Sequence, residues 1–166
     1  VETANKMRKD KKFPSGREIN PSPKLFIGGA EVPSQGKPNT KKILEKINQG
    51  VNFFQTQYVF DAKLLSDYMK ILEDDGILEK TNFIIGIGPF ASAKSAKWMN
   101  ENLFGVDVPE KIIKRLEGSQ DQKEESKRIC VELIEAFRNI NGVKGVHLMG
   151  HKKEQVISEI INESKK

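Results

Sequence analysis

Apolar residues in this chain follow two alternating periods. Short apolar runs at residues 24–30 (KLFIGGA), 51–60 (VNFFQTQYVF), 83–87 (FIIGI) and 144–149 (KGVHLM) have the length and composition of buried strands. Between them the spacing changes to three and four residues. Ile43, Leu44 and Ile47 predict a helix over residues 39–49, which Asn39 or Thr40 can cap and Gly50 can end. Asp61 caps a second helix carrying Leu64, Leu65, Tyr68, Met69 and Leu72, which Asp75-Gly76 ends. Ser92 opens a helix through Met99, and a short helix in residues 106–118 has Pro109 at its first turn. A long helix with Ile129, Val131, Leu133, Ile134 and Phe137 inward ends at Asn141-Gly142, and residues 152–164 form a closing helix. At the start, residues 2–12 read as the end of a helix stopped by Phe13-Pro14-Ser15-Gly16, and Asn20-Pro21-Ser22-Pro23 as a stiff linker.

Strands that are short, apolar on both faces and separated by helices are the pattern of a parallel sheet covered on both sides. The fold class is therefore α/β: four consecutive βα units of a (β/α)8 TIM barrel, in a single domain over residues 1–166 whose first 23 residues are a preceding helix end plus linker. Eight units make a barrel of roughly 250 residues, so four are half of one. A half-barrel has two open edges and a bare interior face, a liability unless covered. The expectation is a fragment of a full barrel, because the chain starts in mid-element, with closure by another chain as the alternative.

Composition changes this picture little. The 31% charged fraction and mean hydropathy of −0.53 argue for a water-facing exterior, and no apolar run approaches the roughly 18 to 20 residues of a membrane span. No signal-peptide pattern opens the chain. A single cysteine, Cys130, excludes an internal disulfide framework, fits a reducing cytoplasm, and reads as a buried inert thiol within a helical stripe. The net charge of +5 is spread over lysines that alternate with acids, and the basic block at residues 6–12 has no aromatic residues to stack on bases; nucleic acid is not an expected partner.

The candidate chemistry lies in residues 51–61. On a strand Phe53, Gln55 and Gln57 share one face, and Asn52, Phe54, Thr56 and Tyr58 the other. A glutamine at the end of a buried strand needs hydrogen-bond partners. Gln55 and Gln57 suit a heterocyclic ligand, or equally a self-satisfied network within a closed barrel. The glycines of residues 24–30 let something approach the backbone closely. Gly86 and Gly88 loosely fit a dinucleotide fingerprint, but Pro89 sits where free backbone N–H groups are needed; room for a flat ligand and tight barrel packing both remain open. His147 and His151 fall on a strand end and its loop with no partner spaced for a metal, which leaves His147 as a packed barrel residue or a ligand contact.

Taken together, KLFIGGAE, LEKINQGVNFFQTQYVFD, IIGIGPF, GVDVPEKIIKRL and GVKGVHLM resemble the methylenetetrahydrofolate reductase family over nearly the whole chain, as the last four βα units of its barrel. The most specific piece is the strand from Gly50 to Asp61, preceded by Lys46 on a helix. The resemblance implies FAD as cofactor and hydride transfer from NAD(P)H to 5,10-methylenetetrahydrofolate, giving 5-methyltetrahydrofolate, in a cytoplasmic enzyme of one-carbon metabolism and methionine biosynthesis. It implies a folate site containing Gln57, Gln55, Ser95, Lys153 and His147, and a cofactor site containing Lys46, Lys42 and Asn39. Ser95 stands where the family often has a glutamine, Met99 close to where it has an aromatic, and Lys153 where it often has an arginine. The catalytic acid and the aspartate beside the flavin belong to the first four units, so no catalytic residue is expected in this chain. The implied partners are folate, NAD(P)H and either a homo-oligomer or a complementary half-barrel. The alternative is a non-catalytic folate- or pterin-binding or assembly module that completes a barrel with another chain.

Overall fold

Four strands, β1 (Gly28–Glu31), β2 (Phe53–Tyr58), β3 (Asn82–Ile87) and β4 (Val143–Leu148), form one parallel sheet in the order β1-β2-β3-β4. This computed structural model describes residues 1–150 and 152–165. Helix α1 (Glu2–Asp10) precedes the sheet. Helices α2 (Thr40–Asn48) and α3 (Ala62–Asp74) follow β1 and β2. After β3 come α4 (Ala93–Asn102), α5 (Glu110–Glu117) and α6 (Gln122–Arg138), and α7 (Glu154–Glu163) follows β4. Sequential parallel pairing joined by helical crossovers makes four βα units in a row.

The helices begin where short polar side chains satisfy their free N–H groups. Asn39 accepts from the Lys42 amide, Asp61 from Lys63 and Leu64, and Asp121 from Lys123 and Glu124. Burial pushes the Asp61 carboxyl up, but the Leu64 and Lys63 amides and the nearby Lys111 ammonium outweigh it and hold the acid below its ordinary range. The stability this cap contributes is therefore present above the unfolded carboxylate range and is lost as pH falls through the lower folded value. Asp61→Ala should cost about 1 kcal/mol at neutral pH. Asp61→Asn should keep most of the cap and flatten that part of the acid limb, as read by thermal melts between pH 3 and 7.

The core lies between the sheet and its helices. Phe54, Phe83, Ile85 and Ile87 are fully buried, Phe54 stacked on Phe83 at 5.2 Å, with Leu65, Met69, Leu72, Leu116 and Phe137 against them. Cys130 is buried there too, and burial pushes its thiol up to about 12, where it stays protonated and unreactive. Among the described residues no helix covers the opposite face of the sheet. Gln55 and Asn82 are exposed, Phe53 and Ile84 half-buried, and Phe26, 73% exposed, stacks on Phe53 at 5.3 Å. The glycines of β1 make room for rings: a Cβ at Gly28 would lie 2.8 Å from the Phe53 ring, and one at Gly29 2.7 Å from that of Phe54.

Among the boundaries that differ from the sequence pattern, two have a local cause. The first strand begins at Gly28 rather than residue 24, because ahead of it the Ile27 amide donates to the Asn52 side chain and the Leu25 carbonyl accepts from Arg8, so the ladder is not continued. The closing helix begins at Glu154 rather than residue 152, since Lys152 adopts a left-handed φ of 54°. The opening helix is docked rather than trailing. Arg8 ties it to the Leu25 carbonyl at 3.0 Å, and Asn5 packs on Gly50, whose φ of 104° ends α2.

Candidate functional site at the carboxyl ends of the strands

All four strands point the same way, so the segments after Glu31, Tyr58, Ile87 and Leu148 gather at one end of the sheet. The end of β2 departs from a regular ladder. Its register to β3 shifts between Gln55 and Tyr58, and the Thr56 hydroxyl takes over a ladder position by accepting from the Gly86 amide at 2.8 Å. The Gln57 side chain there is fixed at both ends. Its oxygen accepts from the Tyr58 amide at 3.0 Å, and its nitrogen donates to the Phe104 carbonyl at 3.2 Å. An amide oxygen accepts twice and an amide nitrogen donates twice, so each end keeps one hydrogen-bonding position.

Beside it, between β1, α2 and α3, lies a cavity of about 390 Å³ to which Asn39, Lys42, Lys46, Glu31, Tyr68 and Phe104 contribute. The three residues expected to meet the cofactor are thus brought together. Two are already engaged. The Asn39 oxygen caps α2, and the Lys46 ammonium lies 2.6 Å from Glu31 Oε1 and 2.7 Å from the Ala30 carbonyl, with its charge 5.7 Å from the Phe54 ring. Tyr68 donates to the second Glu31 oxygen at 3.3 Å, and burial followed by the Glu31 charge raises its phenol well above the usual range. Phe104, whose carbonyl holds the Gln57 amide, is 76% exposed and lines the same cavity.

The residues expected to meet folate do not converge. Gln55 lies on the bare sheet face, paired between Ala30 and Ile84. The Ser95 hydroxyl accepts from the Ala91 and Ser92 amides and donates to the Ser92 carbonyl, completing the cap of α4. Lys153 donates to the Pro89 carbonyl at 2.7 Å, and burial lowers its ammonium. It lines a separate cavity of about 430 Å³ with Lys123 and Lys152. His147, opposite Gly86, borders an apolar groove of about 600 Å³ along the outer edge of β4. Its sequence neighbour in the metal reading, His151, lies outside the described residues. Gly86 and Gly88 leave no room for a ligand. A Cβ at Gly88 would sit on the Met149 carbonyl oxygen, and one at Gly86 on the Thr56 carbonyl oxygen, so these glycines serve close strand packing.

Sequence reasoning missed Glu31, Tyr68 and Phe104. Glu31 carried a signal: it alone places a carboxylate at the last position of a strand. Phe104 carried none, since a lone aromatic in a loop does not announce which strand end it will reach.

Four consecutive parallel βα units in the order β1-β2-β3-β4 are the repeat from which the (β/α)8 class is built, and that class keeps its chemistry at the carboxyl ends of its strands. The chain belongs to the methylenetetrahydrofolate reductase family, whose model matches residues 29–165. Members of this family typically use FAD. No curated protein sequence is similar enough to count as a match. Among solved structures the chain is similar to an uncharacterized Clostridium thermocellum protein described as binding two copies of 5-methyl-5,6,7,8-tetrahydrofolic acid, with a TM-score of 0.58 and 23% identity. The match covers 99% of this chain and 58% of that one, so this chain spans little more than half of the protein it resembles.

The residues present fit a flavin pyrophosphate poorly. Of Asn39, Lys42 and Lys46, only Lys42 has a side chain free of another task, and Glu31 sets a carboxylate against the ammonium that would face the phosphates.

Proposed function

We propose that this chain supplies the folate-binding half of a methylenetetrahydrofolate reductase-type barrel, with Gln57 as the residue that orients the pterin. The observation that carries this reading is the Gln57 amide, held at both ends with one donor and one acceptor still open, on the main chain of Phe104, whose exposed side chain lines the neighbouring cavity. A pterin edge presents donors and acceptors side by side, and its flat ring accepts an aromatic neighbour. The folate bound by the Clostridium thermocellum protein supports 5-methyltetrahydrofolate as the ligand to test. Lys153, in its lysine-lined cavity, is the group for the acidic end of a folate, and Gln55 and His147 are secondary candidates along the open face.

Hydride transfer from NAD(P)H through FAD to methylenetetrahydrofolate is the activity that family membership suggests for the whole protein. This chain's share in it is binding and orientation. A second reading, a module that completes a barrel with another chain without turning over, is favoured by the outer edges of β1 and β4, which no strand among the described residues pairs, and by the exposed Phe26 stacked on Phe53. Reduction of a dye by methyltetrahydrofolate, in the presence of FAD and of the complementary half of the barrel, separates the two: turnover supports the reductase, and none supports the module.

Gln57→Ala should weaken binding of 5-methyltetrahydrofolate to the intact protein by roughly tenfold to a hundredfold, the effect of leaving buried ligand groups unpaired. Calorimetric titration reads this directly, with the melting temperature as the control for folding. An unchanged affinity would remove Gln57 from the site.

A further inference from the structure

We propose that Glu31 is a specificity residue of the cavity between β1, α2 and α3, neutralising Lys46 from within so that the cavity discriminates against dinucleotide pyrophosphates. The Glu31 and Lys46 side chains are 14% and 25% exposed, which shields their 2.6 Å contact from competing water and salt. The carboxylate is held on both sides, by Lys46 at Oε1 and by the Tyr68 hydroxyl at Oε2, and the lysine has a further acceptor in the Ala30 carbonyl. Neither partner swings away without leaving a shielded charge alone, a costlier outcome than an exposed ion pair would face.

The remaining cations are arranged differently. Lys37 and Lys42 are exposed on the rim, so the cavity has a positive margin around a neutral centre. A pyrophosphate seated at that centre meets a carboxylate as well as an ammonium. At an effective dielectric near 20, one unit charge about 6 Å from a like charge costs on the order of a hundredfold in affinity. A ligand with a neutral polar body and its charge toward the rim escapes this cost. Glu31, not the lysine count, therefore decides what enters.

The test uses the intact protein and three probes: ADP, which carries the pyrophosphate without the flavin ring; riboflavin, which carries the ring without phosphate; and FAD, which carries both. Binding is followed by calorimetry for ADP and by flavin fluorescence for the other two. Glu31→Gln keeps the shape and the Tyr68 contact but removes the charge. It should tighten ADP and FAD by about tenfold or more once screening is allowed for, and leave riboflavin unchanged. Adding Lys46→Met to that variant should abolish the gain. Unchanged or weaker ADP and FAD binding in Glu31→Gln, or an equal gain for riboflavin, would overturn the proposal. If the Gln variant loses its cooperative melt, Glu31→Ser makes the same comparison. The family reading guides only the choice of FAD; 5-methyltetrahydrofolate titrated in parallel reports on the Gln57 reading separately, and its failure to bind would leave the ADP result standing.

Discussion

Gly88→Ala is expected to be the most damaging small substitution in this protein. The new methyl would overlap the Met149 carbonyl oxygen and press on the Tyr58 ring at 2.9 Å. Backbone cannot yield as a side-chain tip does, so the end of β3 must separate from the segment after β4. That separation breaks the Met149 amide bond to the Ile87 carbonyl, now 2.8 Å long. The expected cost is about 3 kcal/mol, at the upper end of overpacking penalties. Urea melts of the variant would measure it. A midpoint within experimental error of the parent would mean that the strand ends are less tightly joined than the structure has them.

The second large effect is expected from Phe54→Ala. Phe54 is fully buried, stacks on Phe83, lies against Gly29 and sits under the Lys46 ammonium. Truncation removes the ring's transfer energy and leaves a cavity that two parallel strands cannot close by local collapse, for an expected loss of about 3 to 5 kcal/mol. Because the ring also supports Lys46, the same variant should loosen the Glu31–Lys46 pair. Thermal melts give the stability, and the ADP titration gives the effect on the cavity. Phe54→Leu, which refills most of the volume, should recover most of the stability but not the cation–π contact.

Both effects bear on how the family template is used in this chain. The architecture that brings the strand ends together is retained, down to glycines that allow close strand packing. The side chains at those ends are engaged within the fold. Ser95 caps a helix, Lys153 binds a carbonyl, and Lys46 is paired with an acid. On the proposed folate side, Gln57 offers one well-placed amide. On the proposed cofactor side, Lys46 is balanced internally by Glu31.

What the sequence determined by itself was the local order. Strand and helix periods, the caps at Asn39, Asp61 and Ser92, and the βα alternation are read over stretches of a few residues, where spacing and hydrogen-bonding capacity suffice. They predicted the four parallel strands and nearly every helix in place. The resemblance of residues 50–61 to a reductase barrel also pointed to Gln57 and Lys46. What only the tertiary structure decided was whether those side chains are free. Glu31 reaches Lys46 across 15 residues, Phe104 reaches Gln57 across 47, and Pro89 reaches Lys153 across 64. A residue type states which bonds a side chain can make, and a spacing states which neighbours it has along the chain. Which distant atom claims those bonds is set by how the strand ends and the helices pack around them, and that packing exists only in the folded protein.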